Sequence, residues 1–363
     1  MSNRKLVLEN GIIFEGMSFG SLADVVATLT FNTAVVGYQE IISDPSNFNK
    51  IICMTYPLIG NYGLTNEDYE SNFLSIKGLI VKEYNEFPSN FRYTRTLGDV
   101  MQENNIVGIS GIDTRYLMKI IREEGTLKAL ICDIDKPIEE CLEVLNNYQE
   151  EEKLVPFVSS KKPWYSRTPN PVYNVAVIDL GTKLNLIKEL NKIGCNVIVF
   201  PYNVTKEEIL KYKPNGLFIS NGPGNPSSLN EVIETVKSFI GEIPILGVSL
   251  GCQVIAKAYG IEVEKAKCGC HGGNYPVKNL LTGKVEITSQ NCFYFLNKEQ
   301  VINSNLTITH ENVINKEIAG ILDEEKKVMG IQFEPVVQID ENSENIFQEF
   351  FNLLKKPGGN KNA

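Results

Sequence analysis

Histidine is nearly missing from this chain. Only two occur in 363 residues, His271 and His310, so an enzyme that moved protons with an imidazole would have almost no choice of base. Tryptophan is scarcer still, with Trp164 alone. Basic charge falls short of acidic charge, 35 Lys and Arg against 44 Asp and Glu, for a formal net charge of −9. That balance argues against a general nucleic-acid surface. No stretch approaches the roughly twenty uninterrupted apolar residues of a membrane span, and the opening MSNRKLVLEN holds no export-signal core. The expectation is a cytoplasmic protein whose partners are small molecules and other proteins, with no nucleic acid and no membrane.

The eight cysteines lack the paired CxxC spacing of a zinc site. A chain of this length needs no disulfide framework to hold a core, so reduced thiols are expected. Cys268 and Cys270 form a CxC beside His271, but no metal site is expected from it.

What is present begins with residues 247 to 253, GVSLGCQ, between the apolar run Ile243 to Leu246 and the helix-like stretch Val254 to Tyr259. This predicts a strand, a sharp turn and a helix with one nucleophilic side chain, Ser249, at the turn. Glycines two before and two after relieve crowding there, and the helix amides face any charge that develops on an attacked carbonyl. A GxSxG turn becomes a hydrolase only with a base and an orienting acid. His310, in the polar Thr309-His310-Glu311 after an apolar run, reads better as a surface or strand-end histidine than as that base.

At 43% apolar content the chain has material for two cored domains. The first part, 1–155, opens with strand-like pieces and the hairpin signal Leu8-Glu9-Asn10-Gly11, then a helix from Thr114 to Glu123 capped by Asp113. Residues 156–171, with Pro, Ser and Lys, are expected as a surface linker anchored by Trp164. From Val175, within 172–357, short apolar strands alternate with helices: VAVID, Lys183 to Ile193, NVIVF, a helix from Lys206, GLFIS, a helix from Leu229, and ILGVS. That alternation predicts a parallel sheet with helices on both faces, an α/β fold beside a mixed α/β first domain. Ligands of such sheets bind outside the carboxyl ends of the strands, where Ser220-Asn221-Gly222-Pro223-Gly224 and Ser249 both fall. Residues 358–363 are left as a tail.

SNGPGNP at 220 to 226, GVSLGCQ at 247 to 253 and CHGGNYPV at 270 to 277 resemble the glutaminase domain of carbamoyl-phosphate synthase small subunits, a class I glutamine amidotransferase family. FNTAVVGYQEIISDPS at 31 to 46, TYPLIGNYG at 55 to 63 and GISGIDTR at 108 to 115 are similar to that family's amino-terminal domain. The resemblance covers essentially the whole chain. It implies a heterodimer with a large synthetase subunit that uses bicarbonate, ATP and a divalent metal, serving arginine or pyrimidine synthesis, with no cofactor in this chain. Glutamine-binding or oxyanion positions fall on Ser46, Gly222, Gly224, Leu250, Gln253, Asn291, Phe293 and Tyr294, and the backbone amides of Gly222 and Leu250 become the expected oxyanion donors.

The triad departs from the family at every position. Its cysteine nucleophile falls on Ser249, its base histidine on Glu334 of Gln332-Phe333-Glu334-Pro335-Val336, and its orienting glutamate on Val336. A hydroxyl needs its proton removed as it attacks, so glutamine hydrolysis is expected to be lost and the partner to depend on ammonia. Two alternatives stay open: a glutaminase in which Ser249 still attacks, and a GxSxG serine hydrolase. The family's Gln-Asn-His-Gly-Phe run reads Gln290-Asn291-Cys292-Phe293-Tyr294, so Phe293 replaces a glycine and obstructs the pocket unless its ring turns outward. Cys252, Cys270 and Cys292 stand where the family has histidines, either as a thiol cluster or as cysteines serving as small hydrophobes at positions catalysis no longer needs.

Overall fold

The computed structural model describes residues 2–335 and 346–355, which form two compact units dividing between Glu151 and Glu152. The first contains β1 (Arg4–Leu8), β2 (Ile13–Gly20), β3 (Val25–Asn32), β4 (Lys50–Met54), β5 (Leu58–Ile59), β6 (Gly78–Ile80), β7 (Glu83–Tyr84), β8 (Val107–Ser110) and β9 (Leu127–Asp133). Of these, β5 and β7 pair with each other, and the other seven close into a barrel in the order β1-β2-β8-β6-β4-β3-β9. Closure removes the open edges that would invite foreign strands. Helices α1 (Tyr38–Ser43), α2 (Leu97–Glu103), α3 (Thr114–Glu124) and α4 (Ile138–Asn147) complete the unit.

Strand alternation explains how the barrel and its helices share one set of strands. Val7 of β1 packs with Leu130, Cys132 and the α4 residues Cys141 and Leu145, while its neighbours Leu6 and Leu8 are buried on the other face. The expected hairpin forms: Val7 pairs with Ile13, and Gly11 takes φ 85° as its N–H donates to the Leu8 carbonyl at 2.9 Å. Helix α3 starts where expected, because the Asp113 carboxylate accepts the Tyr116 N–H at 3.0 Å and supplies one of the acceptors that a first helical turn lacks.

The second unit holds α5 (Val155–Val158), β10 (Trp164–Ser166), β11 (Tyr173–Asp179), α6 (Leu184–Lys192), β12 (Cys195–Pro201), α7 (Lys206–Leu210), β13 (Gly216–Ile219), α8 (Asn230–Phe239) and β14 (Ile245–Val248). It continues with α9 (Leu250–Ala258), β15 (Val263–Asn279), β16 (Val285–Leu296), α10 (Lys298–Ile302), β17 (Thr307–Asn312), β18 (Ile318–Asp323), β19 (Val328–Ile331) and α11 (Ile346–Leu354). Among the described residues the sheet runs β10-β12-β11-β13-β14-β19-β18-β17-β15-β16. Strands β12, β11, β13, β14 and β19 are mutually parallel. Successive residues feed opposite cores, as a strand buried on both sides requires. Ala176 and Ile178 join the α8 and α9 face; Val175 and Val177 join the face containing residues of α6 and α11.

Three expectations are amended. The segment 156–171 is mostly exposed, as expected, but it is more than a linker: α5 ends in it and β10 lies in it, β10 pairs antiparallel with β12, and Trp164 packs half-buried on one sheet core. A three-residue strand is too short to show a period, so its pairing was hidden. The sheet is not parallel throughout, because β18, β17, β15 and β16 extend it antiparallel beyond β19. His310 is neither at the surface nor after a strand end. It is buried within β17, with its Nδ1 2.9 Å from the Thr309 hydroxyl and its ring against Phe333.

Candidate functional site

The site is built at the carboxyl ends of the parallel strands. Ser249 sits between β14 and α9 with φ 53° and ψ −110°, a strained backbone for a residue with a side chain. Its N–H is held by the Ile331 carbonyl of β19 at 2.7 Å. The flanking glycines are required by contact. A Cβ on Gly247 would lie 2.5 Å from the Gly251 carbonyl oxygen, and one on Gly251 would lie 2.1 Å from that of Ile219. The elbow predicted from GVSLGCQ is therefore present, and α9 begins immediately after it at Leu250, earlier than the helical stretch from Val254.

The neighbouring turn is equally tight. A Cβ on Gly222 would meet the Leu180 carbonyl oxygen at 2.0 Å, and Gly224 has φ 93°. Ser220 links the turn to β11, accepting from the Leu180 N–H at 2.9 Å and donating to the Asn221 carbonyl at 2.8 Å. The Asn221 side-chain oxygen accepts the Lys183 N–H at 3.1 Å. These bonds hold the loop after β11 against the loop after β13.

Lys183 then reaches Glu334. Its Nζ lies 2.8 Å from Glu334 Oε2, and the two side chains are 9% and 21% exposed. Lys183 follows β11 and Glu334 follows β19, with β13 and β14 between them. Three strand spacings amount to about 14 Å, so the ion pair has to pass above the carboxyl ends of β13 and β14, where Asn221, Gly222 and Ser249 lie. The Glu334 N–H is anchored on the Ser289 carbonyl at 2.8 Å. Lys183 escaped sequence reasoning. Its signal was an ionisable side chain in the loop after the first parallel strand, a position of interest in any such sheet.

A second network ties the elbow helix to β16. Gln253 Nε2 donates to the Tyr294 carbonyl at 3.2 Å and to Gln332 Oε1 at 3.0 Å, and Gln332 Nε2 also reaches the Tyr294 carbonyl. The structure brings Gln253, Tyr294 and the Gln332-Phe333-Glu334 segment together. Asn291 pairs across the ladder with His271, whose Nδ1 lies 2.7 Å from Asn291 Oδ1. The Phe293 ring lies 4.2 Å from the His271 ring centre to centre, so it is packed on β15.

Two predicted residues are not among the described residues of the second unit. Ser46 belongs to the first unit, buried in the turn Pro45–Asn47, with its N–H on the Asp44 carboxylate at 2.8 Å. Val336 lies outside the described residues. Of the three cysteines, Cys270 and Cys292 face each other across β15 and β16. Cys252 is buried in α9, and burial raises its thiol pKa. Among the described residues no group of three or more His, Cys, Asp or Glu is arranged to hold a metal ion, and no helix is long and apolar enough to cross a membrane.

A doubly covered sheet with a nucleophile elbow and a glycine turn on one rim is the architecture of a class I glutamine amidotransferase, and residues 176–353 match that family. Residues 6–131 match the carbamoyl-phosphate synthase small chain, CPSase domain. The carbamoyl phosphate synthase small chain of Oceanobacillus iheyensis is 41% identical over 99% of both chains. The pyrimidine-specific small chain of Bacillus subtilis is 42% identical over 97% of this chain and 96% of its own. A solved glutamine amidotransferase from Thermotoga maritima gives a looser likeness, 19% identical with a TM-score of 0.37 over 45% of this chain and 75% of its own. The chain belongs to the carbamoyl-phosphate synthase small chain family.

Proposed function

We propose that this chain docks on a large synthetase subunit, shapes the ammonia route of the complex and does not itself hydrolyse glutamine. ATP, bicarbonate and the divalent metal belong to the large subunit on this reading, and the chain carries no cofactor. The observation that carries it is the Lys183–Glu334 ion pair. Glu334 holds the position that the family gives to its base, and its carboxylate is bound to an ammonium at 2.8 Å.

A hydroxyl is far harder to ionise than a thiol and needs a base at the moment of attack. A carboxylate already engaged by Lys183 has to give up that contact to accept the proton. In nucleophile–base systems that act as a unit, losing one member costs up to about a millionfold in turnover, leaving roughly 10³ to 10⁴ over water. On this reading the backbone N–H groups of Gly222 and Leu250 remain the oxyanion donors. Binding of glutamine is a separate matter from its hydrolysis, and the Gln253, Asn291 and Phe293 side chains that would meet it already have partners within the protein.

The test is carbamoyl phosphate formation by this chain co-purified with its large subunit, under bicarbonate and ATP. Ammonium is expected to support synthesis and glutamine is not. Equal rates with glutamine, abolished by Ser249→Ala, would overturn the proposal and make Ser249 a working nucleophile.

A further inference from the structure

Cys270 and Cys292 are direct partners in the antiparallel ladder of β15 and β16. Directly opposed residues have Cα atoms about 4.5–5.5 Å apart, inside the roughly 4.4–6.8 Å span of a disulfide. Their side chains leave the sheet on the same face, which sets the two thiols side by side. Asn315 Nδ2 donates to Cys270 Sγ at 3.5 Å, and the Tyr275 hydroxyl accepts the N–H of the next residue, His271, at 3.1 Å. The neighbouring Cys292 thiol, with help from Asn315 and Tyr275, holds the Cys270 thiol below its ordinary range. The same thiol contact, with burial, pushes Cys292 well above it. Cys270 is thus the easier of the two thiols to ionise, as an attacking cysteine is beside a resolving one.

Position supports reactivity as well. Both residues are nearly buried, at 4% and 3% exposed, but Asn315 is itself at the surface, so Cys270 lies one side chain beneath solvent. Register shifts interrupt the ladder between Lys265 and Cys270 and between Gly272 and Tyr275. The thiol pair, His271–Asn291 and Gly272–Gln290 therefore form a short paired island bounded by irregular backbone. A covalent link there would fix the strand position of Asn291.

We propose that Cys270 and Cys292 form a peroxide-driven, reversible cross-strand disulfide. The Cys270 thiolate attacks one oxygen of hydrogen peroxide, the O–O bond breaks, and hydroxide leaves a sulfenic acid on Cys270. Cys292 sulfur then attacks Cys270 sulfur, the S–O bond breaks, and the departing hydroxide takes the Cys292 proton as water. The two thiols lose two electrons together, and the peroxide is reduced to two waters. A dithiol reductant reverses the link by exchange. Cys132 and Cys141, 3.6 Å apart between their sulfurs, provide an internal control. Both are fully buried, and burial pushes the Cys132 thiol up to about 12, so this pair stays reduced.

The experiment treats the full reduced chain with hydrogen peroxide, alkylates it after denaturation and maps its peptides without reductant. The expected result is a linked Cys270–Cys292 peptide pair lacking two hydrogens, with at least a tenfold loss of alkylation at both cysteines, restored by dithiothreitol. In Cys292→Ser, Cys270 is expected to be captured by dimedone as the sulfenic acid. Retained alkylation at both positions after peroxide would overturn the proposal. So would prior formation of a Cys132–Cys141 or Cys268–Cys270 link. The wild-type map decides the question even if the serine variant fails to fold.

Discussion

Removing one partner of the Lys183–Glu334 pair tests whether the rim of the second unit is strapped as the geometry indicates. Breaking a buried ion pair costs about 3–5 kcal/mol because the remaining charge is stranded. Glu334 is 21% exposed, and water reaching it reduces the cost to about 2–3 kcal/mol. In a unit of this size each kcal/mol moves the thermal midpoint by about 2–4 °C, so Lys183→Met and Glu334→Gln are each expected to lower it by about 5–10 °C. The double variant strands no charge. It should lose less than the sum of the two, with a coupling of about 1–3 kcal/mol. Trp164 is the only tryptophan and lies on β10 of the same unit, so its fluorescence follows the unfolding that matters. Single variants within about 1 °C of wild type, adding without coupling, would refute both the strap and the argument that Glu334 is engaged.

Three further outcomes follow from the same site. Gly251→Ala should destabilise the second unit by about 3 kcal/mol or more, measured by the Trp164 transition, because its Cβ would lie 2.1 Å from backbone oxygen rather than from a movable side chain. Ser249→Cys alone should release no ammonia from glutamine, whereas Ser249→Cys with Glu334→His and Val336→Glu should, read by a coupled ammonia assay. Cys252 should resist iodoacetamide in the native protein at pH 8 and react after unfolding, since it is fully buried and its thiolate is disfavoured.

Much of this arrangement was legible in the chain. The Asp113 cap, the Asn10-Gly11 hairpin and the alternation of apolar strands with helices from Val175 depend on neighbours within a few residues, and each appears where expected. The elbow was legible for the same reason: its two glycines answer a crowding that the turn itself creates. The antiparallel extension was not. Strands β15 and β16, β17 and β18, and β18 and β19 pair as sequence neighbours, but β15 carries two register shifts that break any clean period, and its second pairing skips a strand to β17. Residues 156–171 are mostly exposed, as their Pro, Ser and Lys suggest, but that composition hid the short segment around Trp164 that pairs on an edge of the sheet.

The sequence by itself determined the family, the two α/β halves, the nucleophile elbow and the identities of Ser249, Glu334 and Val336, which the resemblance alone assigns to triad positions, because these are properties of residue identity and local spacing. Only the tertiary structure decided what Glu334 touches. Lys183 and Glu334 are separated by |i−j| = 151, and no local rule pairs them. Their contact exists because the strand order sets the loops after β11 and β19 on one rim. Cys270 and Cys292 face each other through the register of the β15–β16 hairpin, whose two shifts residue spacing does not give.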